Sequence, residues 1–473
     1  MDDSSAVTDA PNITMMEQEE PSHALEDDGE DHYIQDGDAI EVPVDDAAPA
    51  EDDDDDALMQ ETNDSSQQEE QSRYQFQSHT GPVYAVAVAA SDRDSLVLVS
   101  GGGDDQAFLH TTTVNGGSSQ RLEHSHTDSV SSVAMTTDWI AVGSYDGSIV
   151  LYSRATTTAA DDGLVLSPTH VLDGPTDIEW LSFHPSGTVI LAGSTDGTVW
   201  MYHITTTTTT APQCLQVLVG HAASVTAGAF VGTNSIATAS ADGTVRLWAP
   251  KTGLVKHVFR LSDGTNDTNV AGLTCLQPRS ADKLILVGSE DGCAYICHAG
   301  PTKKVLHRLE HTAAPQQNPG MDDDDTSDAG TAVSVEAVGW CPVEHPWCAT
   351  AGVDGVLKIW DVTTGQCRHV CRVVPSNTGD TSDDDDEGIT RLVWYKVWVI
   401  TASTMGTIRI WDTRSGELVQ TLTSGNCSVV NDLQVCLIGN NEAGPEQLQI
   451  VTGSDDHVVR VFLVDQHDLS SRD

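Results

Sequence analysis

The sequence predicts an all-β fold, eight four-stranded blades set radially as a β-propeller behind an acidic, coreless tail. Three observations carry that prediction. A short signature, two apolar stretches joined around a tight turn, recurs eight times along the chain, five times with Asp-Gly at the turn. Each stretch is four to six residues long with period-two character, the pattern of strands rather than helices. The first 72 residues, by contrast, hold few aromatics and long runs of acid.

Charge divides the chain before any motif does. Of a formal net charge of −50 over 473 residues, half falls ahead of position 74, where 26 Asp or Glu face one basic residue, Arg73. A segment with blocks such as EDDDDD (51–56) buries too little apolar surface to offset its ordering entropy, so residues 1–72 are expected to be a disordered acidic tail. Within it, HYIQDGDAIEVPV (32–44) mixes apolar and acidic residues and is a candidate to order on a partner. The propeller is expected over 73–466, with a short C-terminal tail at 467–473.

The opening MDDSSAVTD is the opposite of a secretory or mitochondrial leader, and nowhere do 18 apolar residues stand together, so no membrane partner is expected. Ten cysteines in such a chain suggest reduced thiols and a cytoplasmic location, with the nucleus as a second compartment. Cys293 and Cys297, like Cys367 and Cys371, stand four apart. Along a strand that spacing spans roughly 13 Å, too far to share a metal, and marks packing thiols.

The best copy of the repeat is VLVGHAASVTAGAFVGTNSIATASADGTVRLWAP, 217–250. Its ending recurs as GSYDGSIVLY, GSTDGTVWMY, GSEDGCAYIC and AGVDGVLKIW, with turn aspartates Asp146, Asp196, Asp291 and Asp354. Weaker copies are ASTMGTIRIW, with Met405 at the aspartate position, GSDDHVVRVF with Asp456, and GGDDQAFLHT, read with Asp105 at the turn. If that first copy is no true blade, the alternative is seven. These motifs, with Trp360-Asp361 and Trp411-Asp412, resemble the WD-repeat family. The resemblance implies that His221, Asp242 and Trp248, with a hydroxyl from Thr238 or Ser240, form a buried structural network rather than an acid–base pair. It also implies that the strand from Tyr74 to Ser78 pairs with VVRVFLV of the last blade, closing the ring and removing open edges.

The insertions point to a surface. MDDDDTSD (321–328) and DTSDDDDE (380–387) both follow an outer strand, placing Asp322, Asp323, Asp324, Asp325 and Asp383, Asp384, Asp385, Asp386 on the face of the Asp-Gly turns. SDGTND (262–267) joins them, whereas the threonine-rich ATTTAADD (155–162) and ITTTTTTAP (204–212) fall on the opposite face as spacers. Residues preceding the turn aspartates are read as Asp104, Tyr145, Thr195, Ala241, Glu290, Val353, Thr404 and Asp455. Those opening the innermost strands are read as Tyr84, Ser131, Glu179, Thr226, Ala271, Glu336, Thr390 and Asn431. Asp104, Glu179, Glu290, Glu336 and Asp455 with Tyr84 and Tyr145 then ring the channel mouth, and no Lys or Arg does.

An anionic field repels nucleic acid and attracts Lys/Arg-rich chains, so the expected partner is a basic protein or peptide and no nucleic acid. The acidic tail and repeats together resemble the angio-associated migratory cell protein and its fungal counterpart. That resemblance implies a dedicated chaperone of a basic large-subunit ribosomal protein in 60S assembly. A multi-partner WD-repeat scaffold and an acidic histone chaperone are the alternatives. No phosphate loop, nucleophile elbow or HExxH pair is present, so no enzyme is expected; nor is a cofactor, and the polyaspartate runs lack the spaced ligands of a calcium loop. The expected assembly is a monomer.

Overall fold

A computed structural model describes residues 70–465 and Leu469, apart from 91–95, 114–115, 155–157, 161–162, 206–209, 262–270, 312–332, 344, 374–386, 426 and 439–446. The tail proper, its 32–44 segment and both polyaspartate runs therefore lie outside the described residues.

Eight four-stranded antiparallel sheets form in sequence order. Their innermost strands are Val83–Ala90, Val130–Met135, Ile178–Phe183, Ala227–Phe230, Leu273–Arg279, Val335–Trp340, Ile389–Tyr395 and Val430–Ile438. Each of these packs on the innermost strand of the next blade, and the eighth packs on the first, so the cycle closes. The first copy is a full blade, with Leu96–Gly102, Ala107–Thr113 and Gly116–Arg121 behind Val83–Ala90, which settles the count at eight.

Closure works as a clasp. The N-terminal strand Tyr74–Phe76 is the outer strand of blade 8, with Tyr74 opposite Val461 and Phe76 opposite Val459. The contact extends further than the strand. Gln71 exchanges backbone and side-chain hydrogen bonds with Thr423 of blade 7. The carboxylate of Glu70 accepts from the buried guanidinium of Arg460 at 3.1 Å.

The second strands are buried from end to end, as in Trp139–Ser144 and Trp398–Ser403. Alternating Val, Ile, Leu and Ala fill the wedges between blades, and each fully buried side chain contributes roughly 1.5–3 kcal/mol. The tightest wedge holds Trp180. A Cβ on Gly193 or Gly228 would come within 2.1 or 2.3 Å of its indole, so only glycine fits on both sides. Among the threonine-rich stretches, Thr158–Ala160 pairs with Gly163–Val165 as a small hairpin instead of a plain spacer. It lies between the third and fourth strands of blade 2, hence at the end opposite the Asp-Gly turns.

Candidate partner-binding site at the channel mouth

One backbone bond per blade fixes which residues stand at the mouth. The N–H of the residue before each turn aspartate donates to the carbonyl just ahead of the innermost strand's bulge. Seven such pairs are Tyr145 to Ser129, Thr195 to Asp177, Ala241 to Ser224, Glu290 to Gly272, Val353 to Ser334, Thr404 to Gly388 and Asp455 to Val429. The eighth is Gly103 to Pro82 at 2.8 Å. Blade 1 is therefore shifted by one residue from the sequence reading. Asp104, not Asp105, is its turn aspartate, and Asp105 takes the left-handed conformation (φ 61°) that Gly243 takes in blade 4 (φ 70°). Asp104 leaves the mouth and joins the buried framework: its carboxylate meets His79 Nδ1 at 2.9 Å and accepts the Thr80 N–H at 2.9 Å.

That framework repeats with local substitutions. In blade 4, His221 Nδ1 meets Asp242 at 2.9 Å, its Nε2 meets Thr238 Oγ1 at 2.7 Å, and Trp248 Nε1 donates to the same hydroxyl at 2.8 Å. Thr238, not Ser240, is the strand hydroxyl of the network. Burial works against the Asp242 carboxylate, but hydrogen bonds from Thr244, the Ala222 N–H and His221 prevail and hold its pKa at about 2. Blade 6 carries a second full set that the sequence reading missed: His311 and Trp360 both meet Thr350 Oγ1, at 2.7 and 2.9 Å, with Asp354 3.6 Å from the imidazole. The long insertion 312–332 separates His311 from its strand, which hid the match. In blade 1 a second histidine, His110, stands where blades 4 and 6 have tryptophan, bonding Ser100 and Ser119 at 2.7 Å each. Blade 7 has Met405 at the aspartate position, and Glu387 reaches in from the preceding loop to bond Ser403, Thr407 and Arg409. Blade 8 answers differently: Arg460 forks onto Asp456 with bonds of 3.0 and 2.6 Å.

A β-bulge opens the innermost strand in seven of the blades, and the bulged residue points its side chain around the mouth. Five positions spend that side chain on the next blade. Ser131 donates to Ile178 O, Thr226 to Leu273 O (2.7 Å), Thr274 to Val335 O, Thr390 to Val430 O (2.6 Å) and Asn431 to Val83 O (3.0 Å). The blade 5 member is Thr274 and not Ala271, three residues earlier. The remaining three positions of this belt are Tyr84, Glu179 and Glu336, none of which makes the bond. Two of the three are carboxylates, and a carboxylate cannot donate.

The mouth thus keeps Tyr84, Tyr145, Glu179, Glu290, Glu336 and Asp455 from the sequence reading and loses Asp104. Glu290 accepts the Gly272 N–H at 3.1 Å and Asp455 accepts from Asn431 at 2.7 Å, and both stay exposed. Burial, then the charge of Asp177, pushes the Glu179 carboxyl up from its usual range. Burial and the neighbouring Glu179 and Tyr84 push the Tyr145 phenol up. One cation was overlooked: Arg391, beside Thr390 in the channel, lies 3.8 Å from Asp432 of blade 8. Asp432 in turn accepts the Val86 N–H at 2.9 Å, tying blade 8 to blade 1. Asp322–Asp325 and Asp383–Asp386 fall outside the described residues, but their loops root beside the turns. Val333 and Glu387 pack against Gly292 and Gly355 respectively, on the mouth face.

Eight sheets in a closed ring, with full His–Asp–hydroxyl–Trp networks in blades 4 and 6 and variants of them in others, define a WD-repeat β-propeller. The model of the WD domain, G-beta repeat, matches residues 70–110, 117–153, 166–203 and 212–249, the first four blades. The chain is homologous to angio-associated migratory cell protein, being 29% identical to that of Canis lupus familiaris over 402 residues, which is 84% of this chain and 81% of that protein. The Homo sapiens protein is 28% identical over the same shares. Among solved structures, Saccharomyces cerevisiae Sqt1 superposes with a TM-score of 0.69 at 19% identity, covering 84% of this chain and all (100%) of that one. Chaetomium thermophilum Sqt1, solved bound to the N-terminus of the ribosomal protein L10, gives 0.64 at 19% identity over 84% of this chain and 100% of that one.

Proposed function

We propose that this propeller is a non-catalytic chaperone that binds and shields a basic large-subunit ribosomal protein through its acidic mouth before 60S assembly. The carrying observation is the charge of the mouth. Glu179, Glu290, Glu336 and Asp455 stand around it, with Asp177 beside them, while its one channel cation among the described residues, Arg391, already faces Asp432. A lysine- or arginine-rich segment would replace the missing countercharge, and binding would neutralise it until a denser polyanion such as rRNA takes over. The structural likeness to Sqt1 supports the same partner class, the N-terminus of ribosomal protein L10. Such a role places the protein in the cytoplasm, with access to the nucleus, as a monomer.

A scaffold reading has its own observation. Leu215, Val217 and Val219 on the outer strand of blade 3, with Leu254 and Val255 on blade 4, are exposed apolar side chains on the rim. Contacts made there would tolerate salt.

The test is a titration of the full chain with a peptide of the L10 N-terminal segment at roughly 50 and 500 mM salt. A variant with Asp322–Asp325 and Asp383–Asp386 changed to Asn runs beside it. Tight binding that weakens steeply with salt and in the variant is the expected result. Binding indifferent to salt would refute the electrostatic reading and move the rim to first place.

A further inference from the structure

We propose that the sector of the mouth spanning blades 1 to 3 is an arginine-selective subsite, in which Tyr84, Tyr145 and Glu179 hold one guanidinium of the basic partner. The inference rests on the reading of the mouth as a site for a basic chain and adds which side chain it selects.

The belt of inter-blade hydrogen bonds is the starting point. Where Ser131, Thr226, Thr274, Thr390 and Asn431 donate to the next blade, Tyr84 does not, and the carbonyl of Val130 accepts no side-chain donor among the described residues. At blade 3 the corresponding carbonyl, Val225 O, is satisfied instead by the indole N–H of Trp180 at 2.7 Å. Glu179 is half-buried and makes no hydrogen bond or ion pair among the described residues. The charge that acts on it is another acid, Asp177, which accepts from the Thr195 hydroxyl at 3.0 Å. The third break, at Glu336, differs. The blade that follows it carries a cation at its bulge, Arg391, 3.8 Å from Asp432.

Aromatic surface completes the sector. Tyr84 is 37% exposed, and its ring lies beside Gly103, where a Cβ would sit 3.2 Å from its edge and hydroxyl. With glycine at that mouth position, no turn side chain covers the ring. Tyr145 stands at the same position of blade 2, where Glu179 and Tyr84 both act electrostatically on its phenol. A site with two phenol rings, a carboxylate lacking a partner and an open carbonyl suits a planar cation with several donors. A guanidinium stacks on a ring while donating to carboxylate and carbonyl together; an ammonium is a compact point charge that gains less from the rings.

The experiment uses the full chain and two fluorescein-labelled probes, nonapeptides alternating arginine or lysine with serine, read by anisotropy at low salt. The wild-type protein is expected to bind the arginine peptide roughly two- to fivefold tighter, the fold-change of one exposed cation–π contact. Tyr84→Leu and Tyr145→Leu should bring the ratio to about one, whereas Tyr84→Phe and Tyr145→Phe, which keep the rings, should preserve it. Glu179→Gln should weaken the arginine peptide more than the lysine one. Asp138→Asn, on the opposite face, should change neither. Equal affinities in the wild type, or a ratio untouched by the leucine variants, would overturn the subsite while salt-sensitive binding of both peptides left the chaperone reading standing. Failure of the wild type to bind either peptide would overturn both.

Discussion

Replacing Glu387 with alanine should destabilise blade 7 by an amount large enough to measure in an otherwise intact propeller. In the native protein this carboxylate bonds Ser403, Thr407 and Arg409, and both ion-pair side chains are only 13% exposed. The substitution leaves the Arg409 guanidinium buried without a countercharge. Removing one partner of a buried pair costs about 3–5 kcal/mol, most of it the desolvation of the ion left behind. With unfolding entropy near 2.1 cal/mol/K per residue over roughly 400 ordered residues, that is a drop in Tm of about 4–6 °C. Differential scanning calorimetry and urea unfolding followed by near-UV circular dichroism would read it. Blade 8 supplies the control: there Arg460, at the position of Arg409, forks onto an aspartate at the turn position that Met405 occupies in blade 7. Met405→Asp in the Glu387→Ala background should therefore recover most of the loss. A Tm within about a degree of wild type for Glu387→Ala, or no recovery in the double variant, would refute the reasoning.

Thr238→Val should cost roughly 2–4 kcal/mol, because it strands His221 and the Trp248 indole together, while Thr390→Val, which breaks one belt bond, should cost about 1 kcal/mol; urea midpoints compare the two. Burial and the nearby His79 depress His110 from 6.5 to about 3. The folded state then binds fewer protons than the unfolded one below pH 6.5, so its stability is complete above that value and is lost as pH falls toward 3. Near pH 5 the loss from this residue is about 2 kcal/mol, and His110→Asn should flatten the stability profile between pH 7 and 5. Gly228→Val should overpack the Trp180 wedge by at least about 1–3 kcal/mol, visible as altered tryptophan fluorescence and a lower urea midpoint.

The architecture was legible because strand period and turn chemistry repeat, and a repeat read eight times corrects its own weak copies. The eighth blade followed from pattern; the outer strand at Tyr74 and the roles of His221, Asp242 and Trp248 followed from the family resemblance that the pattern carries. What failed was register where the pattern doubled back on itself. In Gly-Gly-Gly-Asp-Asp either aspartate can head the turn, and only the His79 contact and the positive φ of Asp105 decide for Asp104. At blade 5 the innermost strand follows residues 262–270, whose composition carries no strand signal, so Thr274 was displaced to Ala271. Glu387 replaces a missing partner with a residue from the preceding loop, and Arg460 does so with a change of residue type at its own repeat position, substitutions of chemistry that the signature does not report. Arg391 escaped because strict strand alternation turns it away from the channel, whereas the bulge between Ile389 and Arg391 breaks that alternation.

The clasp at blade 8 makes the fold's completion depend on its two ends meeting. Residues 74–76, among the first of the propeller to be synthesised, have no sheet to join until 459–461 have been made. For nearly the whole of translation the outermost place in the last sheet stands empty, and the chain holds a strand in waiting with unpaired backbone groups. A chain halted at any earlier codon cannot dock that strand, nor bring Arg460 to Glu70. The ring therefore reports on its own length: a chain that reaches residue 461 seals itself, and a shorter one keeps an unpaired edge.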